Sequence, residues 1–161
     1  MPYDKQNKLY IVTVTAVIRN KDGRYLLLKR HPREIAYPNK WCFPGGKTEG
    51  LEDIESVLQR EVKEEAGLNV LPGKILLRDT AFIRSDGQAV RVFTYLCRLA
   101  DDGQAVNFDA HDFVDYKWVS LEDLKELDHV GVAEEIKQAE KLLNLGLKFD
   151  DLTSPSGPRK K

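Results

Sequence analysis

Three glutamates, Glu61, Glu64 and Glu65, fall within one short segment. On a helix of about 3.6 residues per turn they stand at i, i+3 and i+4, so their carboxylates share a face and repel unless something compensates them. Ile54, Val57 and Leu58 begin the same stripe, so a line that starts apolar turns acidic in its last turn. Clustered carboxylate oxygens are hard ligands suited to Mg²⁺ or Mn²⁺, and such an ion holds phosphate oxygens as its remaining ligands. The competing reading is a solvated charged face in which Arg60 pairs with Glu64 at i, i+4, worth only ~0.3 to 0.5 kcal/mol. The combination favours the metal: a Gly45-Gly46 pair precedes the segment and Gly67 directly follows it.

The elements that must position these acids can be read outward from them. Residues Leu51 to Ala66 contain no Gly or Pro and carry apolar residues at helical spacing, which predicts a helix ending at Gly67. Upstream, the β-branched run Leu9 to Arg19 and the apolar run Tyr25 to Leu28 predict a β-hairpin turning at Asp22-Gly23. Lys29 to Lys47 holds Pro32, Pro38, Pro44 and Gly45-Gly46, and reads as a long functional loop. Downstream, Lys74 to Arg84 and Ala89 to Ala100 read as strands joined through Ser85-Asp86-Gly87-Gln88. Tyr116 to Val119 is a short strand, Ser120 with Asp123 is a helix-start pattern, and Val132 to Leu145 is an amphipathic helix. The tail from Ser154 to Lys161 is expected to be mobile. This order predicts a mixed sheet covered by helices, an α/β (α+β) fold.

Gly46 to Leu68 resembles the Nudix box at every fixed position: Gly46, five residues, Glu52, seven residues, then Arg60-Glu61-Val62-Lys63-Glu64-Glu65-Ala66-Gly67-Leu68. The flanking Trp41 to Lys47 and Trp118-Val119-Ser120 are also similar to that family. The resemblance implies a Nudix-like α/β/α sandwich with a mixed central sheet and a loop, helix and loop that bind Mg²⁺. It implies that Glu61 and Glu65 are the main metal ligands, that Glu64 assists, and that the backbone carbonyl of Gly46 or its neighbour completes the set. Glu52 and Arg60 look like supports that orient the ligands. The base that activates water is, in similar proteins, either a box glutamate or an acid on a distant loop; among Asp109, Asp112 and Asp115 we favour Asp112, six residues before Trp118. Arg30 and Lys47, with Arg33 and Lys40 nearby, are the cations available for substrate phosphates.

With 161 residues and a formal net charge of −1, the chain is the size of one domain, taken here as residues 1–150 with a flexible tail at 151–161. Nothing global draws it to a nucleic-acid polymer, and a small nucleotide is the expected partner. No apolar run suits a signal peptide or a membrane span, and Cys42 and Cys97 read as small apolar residues of a reducing compartment, so a cytoplasmic location is expected. A homodimer would be ordinary for the family. At the downstream positions where similar ADP-ribose enzymes carry a proline and dinucleoside polyphosphate enzymes a tyrosine, this chain has Phe82 and Arg84. The favoured activity is therefore a nucleoside triphosphate pyrophosphohydrolase. ADP-ribose or nucleotide-sugar pyrophosphatases, and a non-catalytic nucleotide sensor, are the alternatives.

Overall fold

The computed structural model describes residues 9–148. The proposed mobile tail lies outside the described residues. Strand β1 (Ile11–Arg19) is followed by β2 (Tyr25–Arg30) through the expected turn, where Gly23 has φ +76° and the Asn20 side chain accepts from the amides of Asp22 and Arg24 at 3.0 and 2.9 Å. The two strands do not run on as a hairpin. They pair only at Arg19 and Tyr25, then diverge.

The segment read as a loop fills the resulting fork with two short strands, β3 (Trp41–Cys42) on β2 and β4 (Gly45–Lys47) on β1. Prolines at 32, 38 and 44 hide these strands from a sequence reading, because each interrupts the run that would reveal a strand. The other edge of β1 pairs in parallel along its whole length with β6 (Ala89–Leu99), and β6 pairs antiparallel with the edge strand β5 (Val70–Ile83). Strand β5 begins earlier than expected and tolerates Pro72 because, among the described residues, its outer edge has no partner strand, with register shifts absorbing the irregular stretch. Strand β7 (Phe113–Val119), also longer than expected, pairs with β2.

Because β1 and β2 are covered on both faces, their alternate residues feed two cores. Val14, Ala16, Ile18, Leu26 and Leu28 join Val57, Leu58, Val62 and Ala66 of helix α1 (Ile54–Ala66). Val17, Tyr25 and Leu27 join Val132, Ile136 and Ala139 at helix α2 (Ala133–Asn144). The result is a mixed sheet between two helical layers. Ser120 and Asp123 cap each other's amides at 3.3 and 2.8 Å before a short 3-10 helix, Glu122–Glu126. Helix α1 starts three residues later than the sequence suggests, since Asp53 accepts from the Ser56 amide at 2.8 Å and leaves Leu51 and Glu52 in the preceding turn. Among the described residues no helix is long and apolar enough to cross a membrane.

Candidate active site

The acids sit on α1, but they do not all face inward. Taking about 100° per residue, Glu65 lies within about 20° of Leu58, Glu61 about 60° from it and Glu64 about 120° from it. The exposures follow: the Glu61 side chain is 15% accessible and Glu64 is 59%. Glu61 and Glu65 therefore continue the core stripe, whereas Glu64 lies on its solvent side, 3.5 Å from Arg60. This corrects the expectation that all three occupy one core-facing line.

Strand β4 packs against the inward pair. Gly45 donates its amide to Glu65 Oε2 at 3.0 Å. A Cβ on Gly46 would meet the Glu61 carboxylate, so any side chain there would push that carboxylate out of its present position. A Cβ on Gly45 would strike the Val14 carbonyl and Thr15. Sequence spacing flagged Gly46 but gave no sign that Gly45 is the direct partner of Glu65.

Arg60 organises the acids from outside. Its Nε and Nη2 donate to both oxygens of Glu52 at 3.0 and 2.9 Å, and its Nη1 donates to Glu61 at 2.9 Å. Glu52 lies ahead of the helix, so this clamp ties the entry turn to the second half of α1. The hydrogen bonds from Arg60 hold the Glu52 carboxyl below the usual carboxylate range. Burial pushes Glu61 up against the opposing influence of Arg60. Burial pushes Glu65 further, up to about 8; the Gly45 amide and Arg30 work against the rise, and the charges of Glu61 and Asp112 add to it.

Asp112 is thus in electrostatic reach of Glu65 despite its distance in sequence. The loop before β7 docks on the end of α1, with the Asn107 and Asp109 amides donating to Ala66 and Glu65 carbonyls at 2.9 Å. The His31 amide donates to the Asp112 carbonyl at 2.9 Å, joining the loop after β2 to this one. The Asp112 carboxylate meets His111 Nδ1 at 2.8 Å, and this contact raises the imidazole pKa. Asp109 accepts from the His111 amide as a local turn former, whereas Asp115 lies within β7 opposite Lys29 and accepts from the Tyr116 amide.

Arg30 ends β2 beside the site, where its Nε donates to the Ala36 carbonyl at 2.8 Å and its Nη2 lies 3.4 Å from Glu34. Those two loop partners carry no sequence signal. Lys47 is exposed at the end of β4, Lys40 pairs with Asp128 at 3.2 Å, and Arg33 packs on His31. Phe82 and Arg84 lie at the far tip of the β5–β6 hairpin, with Arg84 committed to Asp86 at 2.6 Å. Of the aromatic residues, Trp41 is buried and Phe43 packs against the α2-side core.

Among the described residues no three His, Cys, Asp or Glu side chains are drawn together tightly enough to hold a metal ion. The donors nonetheless fit a hard divalent cation in kind: two partly or deeply buried carboxylates with raised pKa values, against glycine backbone that leaves space beside them.

Comparison with known proteins agrees with this architecture. The nucleoside triphosphatase NudI of Klebsiella pneumoniae (strain 342) is 31% identical over 122 residues, covering 72% of this chain and 86% of that protein. Its counterpart from Escherichia coli O81 (strain ED1a) is 32% identical over 126 residues, again 72% of this chain and 86% of the other. The crystal structure of the MutT protein from Methanosarcina mazei Go1 superposes with a TM-score of 0.68 at 28% identity, covering 86% of this chain and 96% of that one. With the NUDIX domain matched across residues 9–139, around the acids and the glycine strand just described, the chain belongs to the NUDIX family.

Proposed function

We propose that this chain is a Mg²⁺-dependent nucleoside triphosphate pyrophosphohydrolase, one catalytic domain over residues 1–150 with a cytoplasmic nucleotide-housekeeping role. The observation that carries the reading is the inward pair Glu61 and Glu65, buried beneath Gly45 and Gly46 where a phosphate-bound cation would relieve their mutual repulsion. The nucleoside triphosphatase name of the relatives supports the choice of substrate class.

Glu61, Glu65 and the Gly45–Gly46 backbone would hold Mg²⁺ (or Mn²⁺), with Glu64 turning in from its solvent position. When bound, the ion neutralises charge on the phosphate oxygens and polarises the scissile anhydride. Water attacks phosphorus, the P–O bridge between the α- and β-phosphates breaks, and the leaving group, pyrophosphate or nucleoside monophosphate according to the phosphorus attacked, departs with the bridging oxygen. Asp112 accepts the proton of that water, and His111 at 2.8 Å orients the carboxylate. Arg30 trades its loop carbonyl for a substrate phosphate, with Lys47 as a second cation at the mouth. Arg60 and Glu52 keep Glu61 aimed inward.

The test is phosphate and pyrophosphate release with Mg²⁺ across nucleoside triphosphates, ADP-ribose, nucleotide sugars and dinucleoside polyphosphates. Turnover of a triphosphate, lost in Glu65→Gln, is the expected result. Preference for ADP-ribose or a nucleotide sugar would replace the substrate assignment, and tight binding without turnover of any substrate would make the chain a nucleotide sensor.

A further inference from the structure

Strand β7 is an edge of the sheet: among the described residues it pairs with β2 alone. In an antiparallel pair the backbone groups of successive residues point alternately towards the partner and away from it. The Tyr116 amide donates to its neighbour Asp115 at 2.8 Å, and the Trp118 carbonyl accepts from Arg24 Nη1 at 3.5 Å. Val114, Tyr116 and Trp118 therefore turn their N–H and C=O groups away from β2. The Val114 and Tyr116 side chains are exposed, and a groove of about 590 Å³ lies beside the strand, lined by Lys117, Asp123 and Leu127 among others.

The opposite edge, β5, is guarded by Pro72 and by register shifts. Strand β7 has neither proline nor glycine, and its guard is a single lysine, Lys117. In one register that lysine stops guarding. With two copies of β7 laid antiparallel and Tyr116 opposite Tyr116, Val114 faces Trp118 and Asp115 faces Lys117. The outward backbone groups then meet as hydrogen-bonded pairs, and Asp115 and Lys117 fall at the positions between, where side chains approach most closely. Lys29 stands opposite Asp115 on β2, so charges alternate across the joined sheet as Lys29, Asp115 and Lys117 of the other copy. Moving the axis by one residue either way sets Asp115 against Asp115 or Lys117 against Lys117, which like-charge repulsion disfavours. The segment is complementary to itself about one axis only, as a two-fold interface requires.

We propose that β7 is a self-pairing edge through which two copies of this chain join their sheets, with the two-fold axis at Tyr116. On association Asp115 gives up the Tyr116 amide to the Tyr116 carbonyl of the other copy and turns to Lys117, and Arg24 releases the Trp118 carbonyl. Both contacts that are exchanged lie at the exposed surface. A pairing of about five residues a side belongs at the small end of specific interfaces, ~1,200 Å² or below, so a dimer of micromolar affinity is expected. The inference does not depend on the hydrolase reading, since none of the active-site acids takes part.

The experiment is sedimentation velocity of the full chain across micromolar concentrations, with thermal melts of every variant. The wild type is expected to show a monomer–dimer equilibrium. Lys117→Glu and Asp115→Lys each set like charges opposite one another twice in the dimer, and each should weaken it by about tenfold or more. Mixed in equal amounts, the two variants restore both opposite-charge pairs, so a heterodimer should form as readily as the wild-type dimer. The inference is overturned if the wild type stays monomeric throughout, if either reversal leaves dimerisation unchanged, or if the mixture does not recover it. Should Asp115→Lys fail to fold for want of the Tyr116 cap, Tyr116→Cys carries the test. Across the axis its two Cα atoms would stand about 5.5 Å apart, within reach of a disulfide, and the native Cys42 and Cys97 are buried. Mild oxidation should cross-link Tyr116→Cys far faster than Leu76→Cys, a similarly exposed position on β5, and equal rates would overturn the inference.

Discussion

Arg60 reaches Glu52, Glu61 and Glu64 with one guanidinium, and the planar fork of arginine is what permits it. Lysine carries the charge but not the fork. Arg60→Lys is therefore expected to lower apparent Mg²⁺ affinity by about 10- to 100-fold, the usual consequence of loosening a ligand's support; a Mg²⁺ titration of initial rates measures it. Asp112 makes a different demand. If it receives the proton of the attacking water, Asp112→Asn lowers kcat by about 10²- to 10⁴-fold with Mg²⁺ affinity nearly retained. A drop of less than about fivefold would return the base to a box glutamate.

At the scale of the element, the two ends of α1 decide where its acids point. Asp53→Ala removes the cap on the Ser56 amide and should cost about 1 kcal/mol in urea denaturation. Gly67 has φ +73°, and a Cβ there would press on the Asn107 carbonyl. Gly67→Ala should cost at least about 1 kcal/mol by the same measurement, and it should also disturb the loop that carries Asp112. Helix α1 was legible in the sequence because periodicity, cap and stop are local signals. The docking of Asp112 beside Glu65 was visible only as a spacing from Trp118, since the contact spans distant segments. Strands β3 and β4 were not legible, because two- and three-residue strands exist only through partners supplied by β2 and β1. Glu64 was placed on the wrong side of the stripe because i, i+3, i+4 spacing locates a face without locating its centre.

For the whole molecule, the packing of both layers against the sheet has a chemical readout in the cysteines. Cys42 and Cys97 are free and lie in the core under α1. Burial pushes the Cys42 thiol up to about 11 and Cys97 up to about 12. The neutral thiol is the form the fold prefers, so this contribution is complete below the ordinary value of 9.0 and is lost as pH rises towards those raised values. The loss approaches ~1.4 kcal/mol per pH unit for each thiol within that window. Denaturation midpoints of the wild type between pH 8 and 11 should therefore fall more steeply than those of Cys42→Ala/Cys97→Ala. At pH 8 both thiols should resist alkylation until the protein is unfolded.

The fork between β1 and β2 also carries a consequence in time. The turn at Gly23 is local and can form early, but it joins the strands at only one pair. Strand β1 must then wait for β6, whose matching residues, such as Thr94 opposite Thr15, are synthesised far later. Loop closure over such a separation is slow compared with helix or hairpin formation. The segment carrying Gly45 and Gly46 closes onto the opposite edge of β1, inside the fork, and a strand of three residues holds only once β1 is itself fixed, so the acids of α1 meet their glycine backbone after the long-range pairing of β1 with β6 is in place. Appearance of Mg²⁺-dependent activity during refolding should accordingly lag the recovery of helical signal.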